Sequence, residues 1–388
     1  MPSNFQITNF GGNLSRQKDM IREFRDIDLS SRNTFRMKVS CRRFIEYDSI
    51  SDLEEMDFNA MDRPVKHIGG GSNLLFTGDF PGTLLHSAIR FIETVNDSGD
   101  ELTVSAGAGV VFDELCDWAA GRELWGPENL SHIPGEVGAA AVQNIGAYGV
   151  EAKDIIKTVH CFDTLSRRFV DFDVADCRYG YRESIFKLKE YKDRYIVTAV
   201  DFIFSRNAGP RLEYGNIREA VQRLSEPQNP EQLRPADVRR AIIATRKSKL
   251  PEVSETGSAG SFFKNPVVSR EVWSAIAAAS EQPVPHYDVT GPDGNPMVKI
   301  PAAWLIEQCG WKGAVMGGAG VCRTQPLVMI NASGEATPDE IVTLEKRIRQ
   351  SVSERFGIEL SAEVEHIPEV EHIPEVEHVP EVEHIPRA

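Results

Sequence analysis

The chain has 388 residues, 41% of them hydrophobic and 26% charged, the balance of a soluble globular protein with room for two or three domains. Its net charge of -15 argues against a nucleic-acid binder, which needs basic surface to meet phosphate. Six cysteines (Cys41, Cys116, Cys161, Cys177, Cys309 and Cys322) lie without CxxC spacing and read as reduced thiols, and no apolar run suits a signal peptide or a membrane span. A soluble, cytoplasmic protein without nucleic-acid or membrane partners is expected.

Taken in order, residues 1–30 form a polar extension, with one helix expected around residues 17–24. Short alternating runs follow, including residues 42–47, and the strand Val65–Ile68 feeds three glycines, Gly69, Gly70 and Gly71, in the stretch HIGGGSNLLF. Leu74–Phe76 resumes an apolar strand, and Pro81-Gly82 is expected to turn it. Residues 102–106 predict a strand ending in Gly107-Ala108-Gly109, and Phe112–Ala120 places Phe112, Leu115 and Ala119 on one helical face. The dinucleotide fingerprint fails there, because Phe112 stands where its third glycine belongs, and the Gly69 loop lacks the end of a P-loop.

The most informative stretch is IPGEVGAAAVQNIGAYGV at residues 133–150. It carries four glycines, Gly135, Gly138, Gly146 and Gly149, among alanines, so little stands off its backbone. With the Gly69 loop it makes two glycine-rich turns suited to a pyrophosphate held by main-chain N–H groups. Strands are expected at residues 158–162 and 196–204, helices at Ile217–Leu224 and residues 236–247, and a domain boundary at Leu250-Pro251. Residues 227–235 read as a polar connection and residues 257–266 as turns. A helix at residues 302–309, a strand at 327–330 and a long amphipathic helix at Pro338–Phe356 follow. Strands and helices mix without βαβ repetition, which predicts an α+β fold.

The chain ends on a repeat. EVEHIP begins at Glu363, Glu369 and Glu381, with EVEHVP at Glu375. A proline at every sixth position forbids a continuous helix, and residues 368–388 are expected to be a disordered acidic tail without a metal.

Seven of these pieces, in order over residues 31–367, resemble the UDP-N-acetylenolpyruvoylglucosamine reductase family. They are NTF at Asn33, GGGSNLLF at Gly69, IPGEVGAAAVQNIGAYG at Ile133, RYGYRESIFK at Arg178, GSAGSFFKNP at Gly257, PAAWLIEQCGWKG at Pro301 and GIELSAEVEHI at Gly357. The Tyr214 segment is similar to the family branch with an extra tyrosine-bearing loop over the substrate. The resemblance implies a vanillyl-alcohol-oxidase-like (PCMH-like) FAD-binding fold with a separate substrate-binding domain. Residues 31–95, completed by 357–367, and 96–250 would hold FAD, residues 251–356 would cover the substrate, and the last strand would return to the first domain. It further implies a monomer in which NADPH reduces FAD, and hydride then passes to an enolpyruvyl ether of a UDP-sugar.

By the same resemblance Ser261 is the proton donor, Arg182 meets the substrate carboxylate, and Glu363 completes the catalytic set. On residue type alone Ser261 reads as a turn residue, Arg182 as a salt-bridge partner of Glu183 or Asp176, and Lys249 as a solvated charge. FAD contacts fall on Gly69, Gly70, Gly71, Ser72 and Asn73, and on Pro134, Gly135, Gly138, Gln143, Asn144, Gly146, Ala147 and Tyr148. Substrate contacts fall on Tyr214, Lys249, Asn265, Lys312 and Gln325. The family often has histidine where this chain has Cys322, which cannot supply two ring nitrogens. Two other classes compete. One is an oxidase of the same fold with FAD attached through a histidine, for which His67 is the nearest residue. The other is a non-catalytic scaffold using the repeat tail.

Overall fold

A computed structural model of the chain describes residues 21–224, 232–291, 293–368 and 383–384. Its first sheet runs Arg22–Asp28, Ser40–Tyr47, Phe80–Ser87, Val65–Ile68 across its width. The first pair is antiparallel and the other neighbours are parallel. Arg22–Asp28 is therefore a strand where residues 22–24 were expected to be helical, and residues 1–20 lie outside the described residues. Its tertiary partners decide this: Phe24 packs on Phe44 and Arg22 pairs with Glu46 across the ladder. Pro81 and Gly82 do not turn the chain but lie inside the strand Phe80–Ser87. Gly82 has no Cβ to clash with the Pro64 carbonyl, which instead accepts the Thr83 N–H at 2.9 Å.

The second sheet is antiparallel, in the order Arg168–Asp173, Ile156–Asp163, Tyr195–Ser205, Glu101–Gly107, Ile92–Asp97. The helices Phe112–Ala120 and Val137–Gln143 close a core in which Phe112, Leu115 and Ala140 pack with Val200 and Phe202. Helices Ile217–Leu224 and Pro235–Lys249 pack on each other through Ile217, Val221, Val238 and Ile242. Part of the polar connection between them, residues 225–231, is outside the described residues.

The third sheet runs Gly257–Ser261, Val328–Asn331, Ala319–Val321, Ala314–Met316, Glu383–His384. Gly257–Ser261 is a strand rather than the expected turns: Gly257 lets the Phe35 carbonyl approach, and Ser258 N–H donates to the Thr34 carbonyl at 2.9 Å. Beside it, Val267–Ser269, Pro296–Lys299 and Tyr287–Thr290 form a smaller antiparallel sheet. The helix Pro338–Phe356 starts on a capping box, Thr337 with Glu340, and ends at Gly357 with φ 65. Its stripe of Ile341, Leu344, Ile348 and Val352 is fully buried.

Residues 358–360 form no strand. Ile358 and Leu360 are buried in the core without a ladder, and the strand is Glu365–Ile367, parallel to Leu74–Phe76. The chain thus returns to the side of the first glycine loop. Of the repeat tail, Glu383–His384 lies as a strand beside Ala314–Met316, while residues 369–382 and 385–388 are outside the described residues. Among the described residues no helix is long and apolar enough to cross a membrane, and no cluster of side chains suits a metal ion.

Candidate active site

Where Val65–Ile68 ends, the chain enters a cavity of ≈ 370 Å³. Gly69, Gly70, Gly71, Ser72 and Asn73 line one side, and Glu136, Gly138, Ala139 and Gln143 another. Small residues make this approach possible. A Cβ on Gly69 would stand 2.9 Å from the Ala139 Cβ, and one on Gly138 would stand 2.9 Å from the Ala108 Cβ. Gly71 turns at φ 68 directly against the Arg32 carbonyl, a place where no side chain fits. The Ser72 hydroxyl donates to the Pro134 carbonyl at 3.0 Å and ties the two glycine-rich turns together.

The cavity's far wall is Ala362, Glu363, Val364 and Glu365, with Lys187 and Lys264. Glu363 reaches it because its N–H donates to the Phe262 carbonyl at 2.8 Å, while Asn73 Nδ2 donates to the Glu363 carbonyl at 3.2 Å. Arg182 Nε donates to Glu363 Oε1 at 2.6 Å, and Arg182 Nη2 to the Gly146 carbonyl at 2.7 Å. Both side chains are mostly buried, 15% and 11% exposed, so the pair is charge-assisted and strongly positioned. Arg182 therefore bonds neither Glu183 nor Asp176. Glu183 pairs instead with Lys264.

Ser261 lies on the strand Gly257–Ser261, just after Gly260 with φ 71, and pairs in register with Val328. The next residue, Phe262, carries the carbonyl that holds Glu363, so Ser261, Glu363 and Arg182 are joined through two hydrogen bonds and one peptide step. Asn265 Oδ1 accepts the Ala302 N–H at 2.9 Å and its Nδ2 lies 3.4 Å from the Tyr181 hydroxyl. Lys249 is exposed, and its carbonyl accepts the Thr324 hydroxyl at 2.6 Å, beside Gln325, whose carbonyl accepts Val328 N–H. Cys322 is buried with its Sγ 3.2 Å from the Thr324 hydroxyl. Tyr214 is half-exposed and stacks on Tyr287 at 6.3 Å, with Tyr148 edge-on.

Ser261, Arg182, Asn265, Lys249, Gln325 and Tyr214 do not line this cavity, and further residues of the expected set also lie apart from it. The Asn144 amide is committed internally, donating to Glu151 and Gly180 and accepting from Lys153 N–H. Pro134 lines a second cavity of ≈ 390 Å³ with Arg246, Leu250 and Gly260. Ala147 sits in the short hairpin Gly146–Ala147 with Val150–Glu151. Lys312 pairs with Glu307 at 2.7 Å on the surface.

Several residues escaped sequence reading. Lys187 Nζ donates to Gln143 Oε1 and to the Arg182 carbonyl; burial pulls its pKa down, helped by the charge of Lys264. Burial pushes the Tyr181 hydroxyl up, with Glu363 adding to it. Lys299 Nζ lies 4.8 Å over the Tyr181 ring, its pKa lowered by burial despite Glu151. Glu365 is ion-paired with Lys66 at 2.8 Å and Lys192 at 3.1 Å. Burial works against its charge, but those two cations hold its carboxyl below the usual range. Lys187, Tyr181 and Lys264 stand inside motifs that could have flagged them, whereas Lys299 and Tyr287 have no such signal.

A cavity floored by main chain suits a diphosphate. Gln143 Nε2 is buried without a hydrogen-bond partner, a donor waiting for a ligand's acceptor. The residues present therefore fit a flavin dinucleotide. Comparison with known proteins agrees. A family model of the UDP-N-acetylenolpyruvoylglucosamine reductase C-terminal domain matches residues 252–367, and one of an FAD binding domain matches residues 54–166. A UDP-N-acetylenolpyruvoylglucosamine reductase of Bacteroides fragilis is 44% identical over 340 residues, covering 87% of this chain and 98% of the relative. One of Chromobacterium violaceum is 42% identical over 349 residues, covering 89% and 99%. The solved UDP-N-acetylenolpyruvylglucosamine reductase of Thermus caldophilus, 22% identical, shares the fold with a TM-score of 0.59 over 90% of this chain and 99% of that one.

Proposed function

The chain belongs to the UDP-N-acetylenolpyruvoylglucosamine reductase family, and on that premise we propose how its own residues carry the reaction. It is an FAD-dependent oxidoreductase that uses NADPH to convert UDP-N-acetylglucosamine enolpyruvate to UDP-N-acetylmuramate, a step of peptidoglycan precursor synthesis. FAD, when bound, supplies the hydride that NADPH delivers to it. Gly69 to Asn73, with Gly138 and Gln143, would form its cradle, and Pro134, Gly135, Asn144, Gly146, Ala147 and Tyr148, which do not line the cavity, are left out of it. Gly69 to Ser72 take the pyrophosphate.

Hydride addition to the vinyl carbon leaves negative charge on the substrate's carboxylate side. Arg182, held by Glu363 and the Gly146 carbonyl, keeps its remaining N–H donors for that charge as it grows. Ser261 then delivers its hydroxyl proton to the neighbouring carbon, which is basic enough to accept from so weak an acid. Tyr214, Lys249, Asn265, Lys312 and Gln325 hold the nucleotide sugar, with Lys249 on its diphosphate. Residues 251–356 form the substrate domain, and the enzyme works as a cytoplasmic monomer.

The observation that carries this reading is the 2.6 Å Arg182–Glu363 pair at the cavity wall, one hydrogen bond removed from the residue after Ser261. Ser261→Ala tests it. Flavin reduction by NADPH should stay within about twofold of wild type, while reoxidation by the enolpyruvyl substrate slows by roughly 10²-fold or more, the weight of a lost general acid. Stopped-flow absorbance of the two half-reactions measures both, and unchanged reoxidation removes Ser261 from the mechanism.

A further inference from the structure

Two titratable residues, Glu136 at this cavity and His86 behind it, have no part in the reaction above. Glu136, which precedes the helix Val137–Gln143, lines the cavity, and its carboxylate lies over the glycine loop. Its Oε2 is 3.3 Å from where a Gly69 Cβ would stand and its Oε1 3.4 Å from the same point on Gly70. A carboxylate there faces the place assigned to the pyrophosphate, and like charges at such range repel.

The protein holds that carboxylate with a histidine. His86 Nε2 is 3.0 Å from Glu136 Oε1, and His86 Nδ1 is 2.9 Å from Glu46 Oε2. Glu46 and His86 are direct partners in the parallel register of Ser40–Tyr47 and Phe80–Ser87. Glu46 in turn pairs with Arg22 at 2.5 Å and lies 3.7 Å from Arg32. The result is an alternating row of charges, arginine, Glu46, His86, Glu136, ending at the glycine loop.

We propose that His86 and Glu136 are a further cofactor-binding pair, in which the imidazolium cancels the Glu136 charge so that the Gly69–Ser72 loop can accept the dinucleotide's pyrophosphate. This rests on the assignment of that loop to the pyrophosphate. The surroundings of His86 favour its charge. Burial alone would lower its pKa, but the hydrogen bonds and charges of Glu136 and Glu46 outweigh it and raise the value. The other titratable neighbours do not compete. His67 is pushed down to about 3, first by burial and then by His86, and stays neutral against the Tyr47 hydroxyl at 2.7 Å. Burial pushes Tyr47 up and keeps it protonated. Lys66, on the same strand as His67, is engaged by Glu365 and Asp193.

The sign follows. His86 carries its proton below its raised pKa and loses it as pH rises through that value, which leaves Glu136 uncompensated beside the pyrophosphate. FAD affinity should therefore fall with rising pH. In the full-length protein freed of flavin, FAD and riboflavin binding are measured by fluorescence from about pH 6 to about pH 9, a span around the ordinary histidine value. Wild type should lose FAD affinity about tenfold or more over this range, while riboflavin, which lacks phosphate, shows no such step. His86→Gln should weaken FAD about tenfold at neutral pH and remove the step. His86→Gln/Glu136→Gln should recover to within about threefold of wild type, which also shows that the substituted chain folds. Wild-type FAD affinity in His86→Gln, or a double variant no tighter than it, overturns the proposal alone. Gly70→Val places a side chain in the cradle where only the Glu136 side chain stands near. If Gly70→Val keeps FAD affinity, the underlying assignment of the loop fails instead.

Discussion

Arg182 holds a left-handed backbone, φ 58, that costs a non-glycine residue on the order of 1–3 kcal/mol unless its surroundings fix it. Its side chain shows what fixes it, with Nε on Glu363 and Nη2 on the Gly146 carbonyl. A lysine has a charge but no planar fork, so it cannot satisfy both acceptors and still face a substrate carboxylate. Arg182→Lys should thus lower kcat by roughly 10²-fold, in line with removal of one donor to developing charge. Flavin absorbance per mole of protein should stay at the wild-type level. Equal loss of flavin and turnover would make Arg182 a folding residue. At this scale Arg182, Ser261 and Glu363 could be singled out because each lies inside a recognisable motif. Glu136 also lies in one, yet nothing linear says where its carboxylate points. His86 and Glu46, forty positions apart, meet only through the register of two parallel strands.

Elements divided by how much of their signal is local. Phe112–Ala120 and Pro338–Phe356 were readable because helical spacing of apolar residues survives any tertiary setting. Gly257–Ser261 was not, since Gly-Ser-Ala-Gly-Ser carries no strand propensity and is held by the Phe35 and Thr34 backbone and by Val328–Asn331. Arg22–Asp28 likewise owes its form to its partner strand. The Tyr214 loop sits between these cases: its tyrosine was singled out, but the Tyr287 ring it stacks on comes from another sheet. Tyr214→Phe keeps that stack and deletes one hydroxyl, so substrate affinity should fall about 3- to 10-fold, the weight of a single hydrogen bond. Lys249→Ala, losing a charged contact, should cost roughly 10-fold or more. Titrations of FAD should be unchanged in both. Parallel losses of flavin and substrate would refute the assignment of these residues to the nucleotide sugar.

Over the whole molecule the decisive event is the return of the chain end to its beginning. In the first repeat each ionisable side chain has a partner. Glu363 meets Arg182, Glu365 meets Lys66 and Lys192, and His366 meets the buried Glu345 at 2.8 Å. Val364 and Ile367 are 2% and 1% exposed. The segment thereby joins Leu74–Phe76, the Phe262 carbonyl and the helix Pro338–Phe356, while its own Glu363, Val364 and Glu365 line the cavity. Among four near-identical glutamates the sequence singles out Glu363 as the one that follows residues 358–360, and Ile358 and Leu360 are indeed buried. Beyond Pro368 the described residues add only the two-residue pairing of Glu383–His384 with Ala314 and Val315, at the far edge of the third sheet. A chain ending after Pro368 should therefore keep turnover within about twofold of full length and shift the melting temperature little, since a two-residue edge pairing is worth on the order of 1 kcal/mol. Glu363→Gln in that shortened chain leaves Arg182 without its anionic partner and should lose roughly 10²-fold in kcat. The comparison of the two separates catalysis from scaffolding. If truncation abolishes turnover while Glu363→Gln in the full-length chain retains it, a later copy occupies the cavity wall in the working enzyme.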